Sequence, residues 1–158
     1  MKQLKQKSAQ WSSGEVRLSR SRPGKASRRA TYLPPRVLIV DDDALLRESV
    51  GIVLSGLCET VGLSSGADLE EFLENTHADL LILDVNMPGP DGFELCRRLR
   101  SHPRWRSLPV LFLTGRGGEI AYERFLAVQG DAYLTKPFKR NDLVETVIRL
   151  LPPEQDAQ

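Results

Sequence analysis

Four short apolar runs punctuate the chain: Val37 to Val40, Leu80 to Leu83, Val110 to Leu113, and Ala132 to Leu134 ahead of Thr135. None alternates strictly with polar residues, the pattern of strands covered on both faces in a parallel sheet with crossover helices. A weaker strand pattern lies at Glu59 to Leu63. Between these runs the apolar period lengthens. After Asp43, in position to cap a helix, Leu46, Val50, Val53, Leu54 and Leu57 recur at helical spacing. Ser65 and Asp68 read as a capping box opening a helix through Leu69, Phe72 and Leu73. The third strand spans Asp79 to Asp84, and the turn-rich NMPGPDG leads to a helix carrying Phe93, Leu95, Cys96 and Leu99. SHPRWRSLP connects to a fourth strand, Val110 to Thr114, and Gly115, Gly117 and Gly118 make the next loop supple. Helices from Glu119 to Val128 and from Asn141 to Leu151 flank the fifth strand, Ala132 to Thr135. Strand and helix alternating five times predict a doubly wound α/β sandwich with a five-stranded parallel sheet.

Chemistry is concentrated where the strands stop. The first run ends in Asp41, Asp42 and Asp43, the second in Asp84, the third in Thr114, and the last, after Thr135, in Lys136. In a doubly wound sheet the ligand crevice lies at the strands' carboxyl ends. If the strands are neighbours, carboxylates, a hydroxyl and an ammonium converge on one edge, with the charge balance of a Mg²⁺ and phosphoryl site.

Composition narrows the setting. The 158 residues, 41% hydrophobic, suffice for one domain with a real core. No apolar stretch approaches the roughly 18 residues of a membrane span, and residues 1–36 carry no hydrophobic signal region, so a cytoplasmic protein is expected. Cys58 and Cys96 lack metal-ligand spacing and are expected as buried or part-buried free thiols. The net charge of +1 conceals a partition: residues 1–36 hold ten basic side chains against Glu15. That leader is too poor in apolar residues to offset the entropy of ordering and is expected to be disordered. It reads either as a linker without a role of its own or as an electrostatic arm for nucleic acid or an anionic surface. Its Gly and Pro residues speak against a transit peptide. The division expected is leader 1–35, folded domain 36–151 and tail 152–158. His77 and His102 are expected to be solvated beside turns, with Trp105 in a loop and Trp11 in the leader.

VLIVDDD, LLILDVNMPGPDGFEL, VLFLTGR and AYLTKPF, in this order and spacing, resemble the receiver domain of two-component response regulators. The likeness covers Arg36 to Leu151. It implies that Asp84 is the phospho-accepting aspartate, Asp41 and Asp42 the acidic pair, Thr114 the hydroxyl, Lys136 the lysine and Tyr133 the aromatic switch position. It also implies the flavodoxin-like form of the doubly wound sheet, a cis bond before Pro137, a Mg²⁺ cofactor, and a sensor histidine kinase or histidine phosphotransfer protein as donor.

The residue types suit that chemistry independently. A carboxylate attacks a phosphoryl group only once their mutual repulsion is neutralised. Mg²⁺ takes hard oxygen ligands, which fits Asp84, Asp42 and the Asn86 backbone carbonyl, with Asp41 direct or through water. Lys136 supplies a point charge and Thr114 a hydrogen bond, while Asp43 is assigned to capping. Arg116 follows Gly115 and could reach toward the site, where it and Asn86 would tune water access.

The expected molecule is a single-domain response regulator, not a conventional enzyme, that acts on an unknown downstream protein. Its output is expected through the face of the fourth helix, fifth strand and fifth helix, since only PPEQDAQ follows the last helix. A haloacid-dehalogenase-type phosphatase would want DxDx(T/V) on its first strand; here three Asp residues run together and Leu45 fills the last position. Nucleic-acid binding by the leader could coexist with the switch.

Overall fold

The computed structural model describes residues 33–115 and 119–153. The expectations for leader residues 1–32, for Arg116 and for tail residues 154–158 therefore fall outside the described residues. Among the described residues the order is β1 (Arg36–Val40), α1 (Ala44–Leu54), β2 (Glu59–Leu63), α2 (Leu69–Asn75), β3 (Leu80–Asp84), α3 (Gly92–Ser101), β4 (Val110–Thr114), α4 (Glu119–Ala127), β5 (Ala132–Thr135) and α5 (Arg140–Leu150). The strands form one parallel sheet in the order β2-β1-β3-β4-β5. The chain first steps from β1 to β2, then crosses back to place β3 on the other side of β1. That reversal is the switch point at which doubly wound sheets open a crevice. No described helix is long and apolar enough to cross a membrane.

Alternate residues of each strand face opposite layers. Leu38, Val40, Leu81, Leu83, Val110 and Phe112 pack with Leu69, Leu73, Phe93, Leu95, Leu99 and Phe125 from α2, α3 and α4. Val37, Ile39, Leu80, Ile82, Leu111 and Leu113 pack with Val50 and Leu54 of α1 and Leu143 and Val147 of α5. Both faces of the central strands are thus sealed, which explains their uninterrupted apolar sequence.

The helix starts are set by local chemistry. Asp43 caps α1, its carboxylate accepting from the Leu45 and Leu46 amides at 3.0 and 3.2 Å, and Asp91 caps α3, accepting from the Glu94 amide at 2.9 Å. The capping box expected at Ser65 and Asp68 does not form. Ser65 accepts from the Ala67 amide and opens a short 3₁₀ turn, Gly66–Asp68, before α2 begins. Gly66 sits so close to Leu95 that a Cβ would lie 2.3 Å from Leu95 Cδ1, and the tight turn brings it there. Trp105 does lie in the α3–β4 connection, but it is buried, and its ring stacks on half-buried His102 with centroids 3.9 Å apart. His102 is therefore a packing residue as well as a loop residue. His77 is exposed, as expected, and pairs with Asp79 at 2.7 Å. Cys58 and Cys96 are buried free thiols.

Arg100 ties the α3–β4 connection to the turn before β5. Its Nη1 donates to the Leu108 carbonyl at 2.7 Å, Nε and Nη2 to the Gln129 carbonyl at 3.1 and 3.0 Å, and Nη2 to Asp131 at 2.9 Å. Asp131 also accepts from the Val110 amide at 2.8 Å, so the cluster pins the start of β4. Gln129 stands at φ 58°, a left-handed conformation that costs a side-chain-bearing residue energy. Gly130 follows, where a Cβ would meet the Phe125 ring at 2.3 Å. Because the Arg100 side chain is 12% exposed and charge-assisted bonds of this kind are worth about 1.5–3 kcal/mol, Arg100→Ala lowers the unfolding free energy by about 2–3 kcal/mol in urea titration. Arg100→Lys recovers only part of that, since an ammonium cannot reproduce the fork.

Candidate functional site

β1 and β3 lie side by side in register, Val40 against Leu83, so their next residues, Asp41 and Asp84, leave the sheet together. Asp84 in turn pairs with Leu113 of β4, which puts Thr114 one step beyond, and Thr114 pairs with Thr135, which delivers Lys136 to the same edge. The Lys136 amide donates to the Thr114 carbonyl at 2.7 Å, and the Lys136–Pro137 bond is cis.

The side chains converge as this register requires. One carboxylate oxygen each from Asp41, Asp42 and Asp84 lies within 4.8 Å of the others. Asp41 and Asp84 are buried at 2% and 5% exposure, whereas Asp42 is exposed. Lys136 reaches across both buried acids, with Nζ 2.8 Å from Asp41 Oδ2 and 3.3 Å from Asp84 Oδ1. Asp41 is further fixed by the Asp43 amide, which donates to Oδ1 at 2.9 Å. Thr114 is buried at 1% exposure. The exposed Asn86 donates its amide to Asp84 Oδ1 at 3.4 Å.

Tyr133 belongs to a different neighbourhood. It pairs with Phe112 in the sheet, is half-buried, and packs its ring against Phe125 of α4 with centroids 5.6 Å apart.

Three residues with contacts around the site were not read from the sequence: Arg47, Arg124 and Gly92. Arg47 Nη1 donates to the Asp41 carbonyl at 2.6 Å, bracing the acidic turn from α1. Arg124 of α4 donates to Asp91 at 3.0 Å while lying 4.5 Å over the Phe93 ring. Burial would raise the Asp91 carboxyl, but the Glu94 amide and the Arg124 guanidinium leave it below the usual carboxylate range. Gly92 lies directly against the Asp84 backbone, where a Cβ would come within 2.3 Å of the Asp84 carbonyl oxygen. The signal for this contact was the DG pair closing NMPGPDG, which marked a turn without revealing what it pressed against.

The protonation energetics follow from crowding like charges in a buried place. Burial drives the Asp84 carboxyl above its ordinary range and the Asp41 charge pushes the same way; Lys136 and the Asn86 amide pull back without cancelling them. Burial alone would lower the Lys136 ammonium, but its hydrogen bond to Asp41 and the charges of Asp41 and Asp84 leave it raised. Three hard carboxylates with one ligand oxygen each in mutual reach suit an oxygen-seeking dication such as Mg²⁺.

A family model described as the response regulator receiver domain matches residues 37–148. The chain belongs to this family. The receiver domain is 39% identical over 123 residues to the transcriptional regulatory protein GltR of Pseudomonas aeruginosa, covering 77% of this chain and 51% of that protein. It is 37% identical over 128 residues to the phosphate regulon transcriptional regulatory protein PhoB of Rhizobium meliloti, covering 76% of this chain and 55% of that one. The chain thus spans about half the length of these curated relatives, and 18% of Protein RcaC of Microchaete diplosiphon, to which it is 39% identical over 122 residues. Among solved structures, the chemotaxis protein CheY4 of Vibrio cholerae aligns with TM-score 0.71 at 29% identity over 75% of this chain and 99% of that one. The signal receiver domain of a signal transduction histidine kinase from Syntrophus aciditrophicus aligns with TM-score 0.71 at 34% identity, covering 78% and 95%.

A carboxyl raised in the folded state holds its proton more tightly there than in the unfolded chain, so stability falls as pH climbs from the ordinary Asp value through the raised one. Asp84→Asn removes that penalty. In metal-free buffer the receiver carrying it is more stable than the parent at neutral pH, and the gain shrinks as pH falls through the raised Asp84 value. Lys136, raised as well, shifts stability in the same direction with pH but over a higher range: its ammonium stabilises the fold below the ordinary 10.5, and that contribution is lost as pH rises through the folded value. Urea denaturation across pH measures both; a gain from Asp84→Asn that is the same at every pH contradicts the first.

Proposed function

We propose that this receiver accepts a phosphoryl group on Asp84 from a sensor histidine kinase or a histidine phosphotransfer protein, and that the phosphoryl group then biases a protein-binding face. The observation that carries the reading is the placement of the buried Asp84 at the carboxyl end of β3, in reach of Asp41 and Asp42 and 3.3 Å from the Lys136 ammonium. In the step proposed, an Asp84 carboxylate oxygen forms the new bond to phosphorus as the bond from phosphorus to the donor imidazole nitrogen breaks, and the electron pair leaves with the imidazole.

Carboxylate and phosphoryl oxygens repel, so the barrier falls only where charge is offset in advance. Mg²⁺ held by Asp41, Asp42, Asp84 and the Asn86 carbonyl would supply that neutralisation on one side of the phosphoryl group. Lys136 supplies it on the other, from a position already spanning Asp41 and Asp84. The Thr114 hydroxyl, one residue past the strand position paired with Asp84, would hydrogen-bond a phosphoryl oxygen. Tyr133, packed on Phe125 of α4, is the residue proposed to register the change, and α4, β5 and α5 the face that presents it. A phosphoryl group shifts such a face only by interacting differently with its two states.

Incubation with acetyl phosphate and Mg²⁺, followed by intact mass and site mapping, tests the assignment: wild type gains one phosphoryl group on Asp84, and Asp84→Asn falls to background. Full labelling of that variant would sink it. Asp42→Ala loses Mg²⁺ affinity in a titration while remaining folded. Lys136→Ala still folds and still labels, but the phosphorylation-induced shifts of Tyr133 and α4 amides seen in wild type by NMR disappear.

A further inference from the structure

At the foot of the sheet, the end opposite Asp84, a groove of about 740 Å³ runs between the end of α2, the start of β3, the α3–β4 connection and the end of α5. Leu73, Trp105, Leu108 and Leu150 line its apolar part, and Glu74 and Asp79 its acidic part. The chain enters the domain on the rim of this groove. The Arg36 amide donates to the Asp79 carboxylate at 2.8 Å and the Arg36 guanidinium to the His77 carbonyl at 3.4 Å; Asp79 and His77 both line the groove.

Charge marks the same end of the domain. Residues 48–96 contain ten acidic residues and no Lys or Arg. Glu59, Glu74 and Asp79 from that stretch lie at the foot, where Arg36 already pairs with Glu59 at 3.0 Å. Immediately upstream, residues 25–32 carry Lys25, Arg28 and Arg29 without an acid and end in Tyr32. Eight extended residues reach about 26 Å, enough to cross the groove from its rim. Arg104, whose guanidinium lies 5.8 Å from the Trp105 ring centroid, supplies a like charge within the lining, so a basic segment is favoured at the Glu74 and Asp79 side.

We propose that residues 25–32 of this chain occupy the foot groove, with Tyr32 on the apolar lining by Trp105 and Leu150 and with Arg28 and Arg29 facing Glu74 and Asp79. Exposed ion pairs of this kind are individually weak and screened by salt. The tether makes up for that: a segment joined directly to the rim is present at millimolar effective concentration, so a site of millimolar intrinsic affinity is substantially filled. Occupancy is independent of Asp84 chemistry, since the groove lies at the opposite end of the sheet.

A spin label on Ser27→Cys in the full chain tests this. Burial pushes the Cys58 and Cys96 thiols up to about 11, so labelling selects the introduced thiol. In low salt the amides of residues 74–79 and the Trp105 indole lose most of their NMR intensity, while those of Asp84 and Asn86 keep theirs. The loss is reversed in about 1 M salt, where screening acts over about 3 Å, and by Arg28→Glu with Arg29→Glu. Uniform broadening over all faces overturns the proposal. So does broadening that appears only when spin-labelled protein is mixed with isotope-labelled protein lacking the label, which would make the occupant a second copy.

Discussion

The repulsion among Asp41, Asp42 and Asp84 is the term that the surrounding structure has to contain. Two of these carboxylates are nearly inaccessible to water, so their mutual cost is not screened as it would be on a surface. Lys136 bridges the buried pair, and the strand register keeps the acids from relaxing apart, since each follows directly from a strand held on both sides. The packed layers therefore supply the energy that keeps an unfavourable charge cluster assembled. A metal ion or phosphoryl group bound there, as proposed, would draw on that stored unfavourable term, in the same way that perturbed carboxylates mark reactive sites generally.

The framework around the site is correspondingly stiff on one side and softer in design on the other. Gly92 lets the start of α3 press on the Asp84 carbonyl, with no space for so much as a methyl group. Among the described side chains of α4, Arg124 reaches the same loop, bonded to Asp91 at 3.0 Å and half exposed to solvent. Position is thus transmitted to α3 by backbone contact and to α4 by a solvent-facing ion pair, two couplings of very different strength.

The sequence made the fold legible because its signals were local. VLIV, LLIL and VLFL announced strands sealed on both faces, and the acids, hydroxyl and lysine announced the shared edge as soon as those strands were taken as neighbours. What escaped was decided by contacts between distant residues. Arg100 reads as one surface cation among several on α3, yet it holds Gln129 and Asp131, 29 and 31 residues away. Lys136 reads as a point charge at the shared edge; it lies 3.3 Å from Asp84, but its shorter contact is with Asp41, 95 residues earlier. The Ser65 and Asp68 pair satisfied a capping pattern, and the close approach of Gly66 to Leu95, invisible in the pattern, accompanies a tighter turn instead. Trp105 sits in a polar connection, where nothing local reveals that its ring is buried.

Asp84 ends a strand that has β1 on one side, β4 on the other and a helical layer over each face. Every lateral route to its carboxylate is filled by protein, so a visitor arrives along the strand axis, through the rim formed by the loops. On the function proposed, a donor delivering a phosphoryl group to Asp84 and a protein reading Asp84 at that rim would share one approach, so their encounters would be sequential.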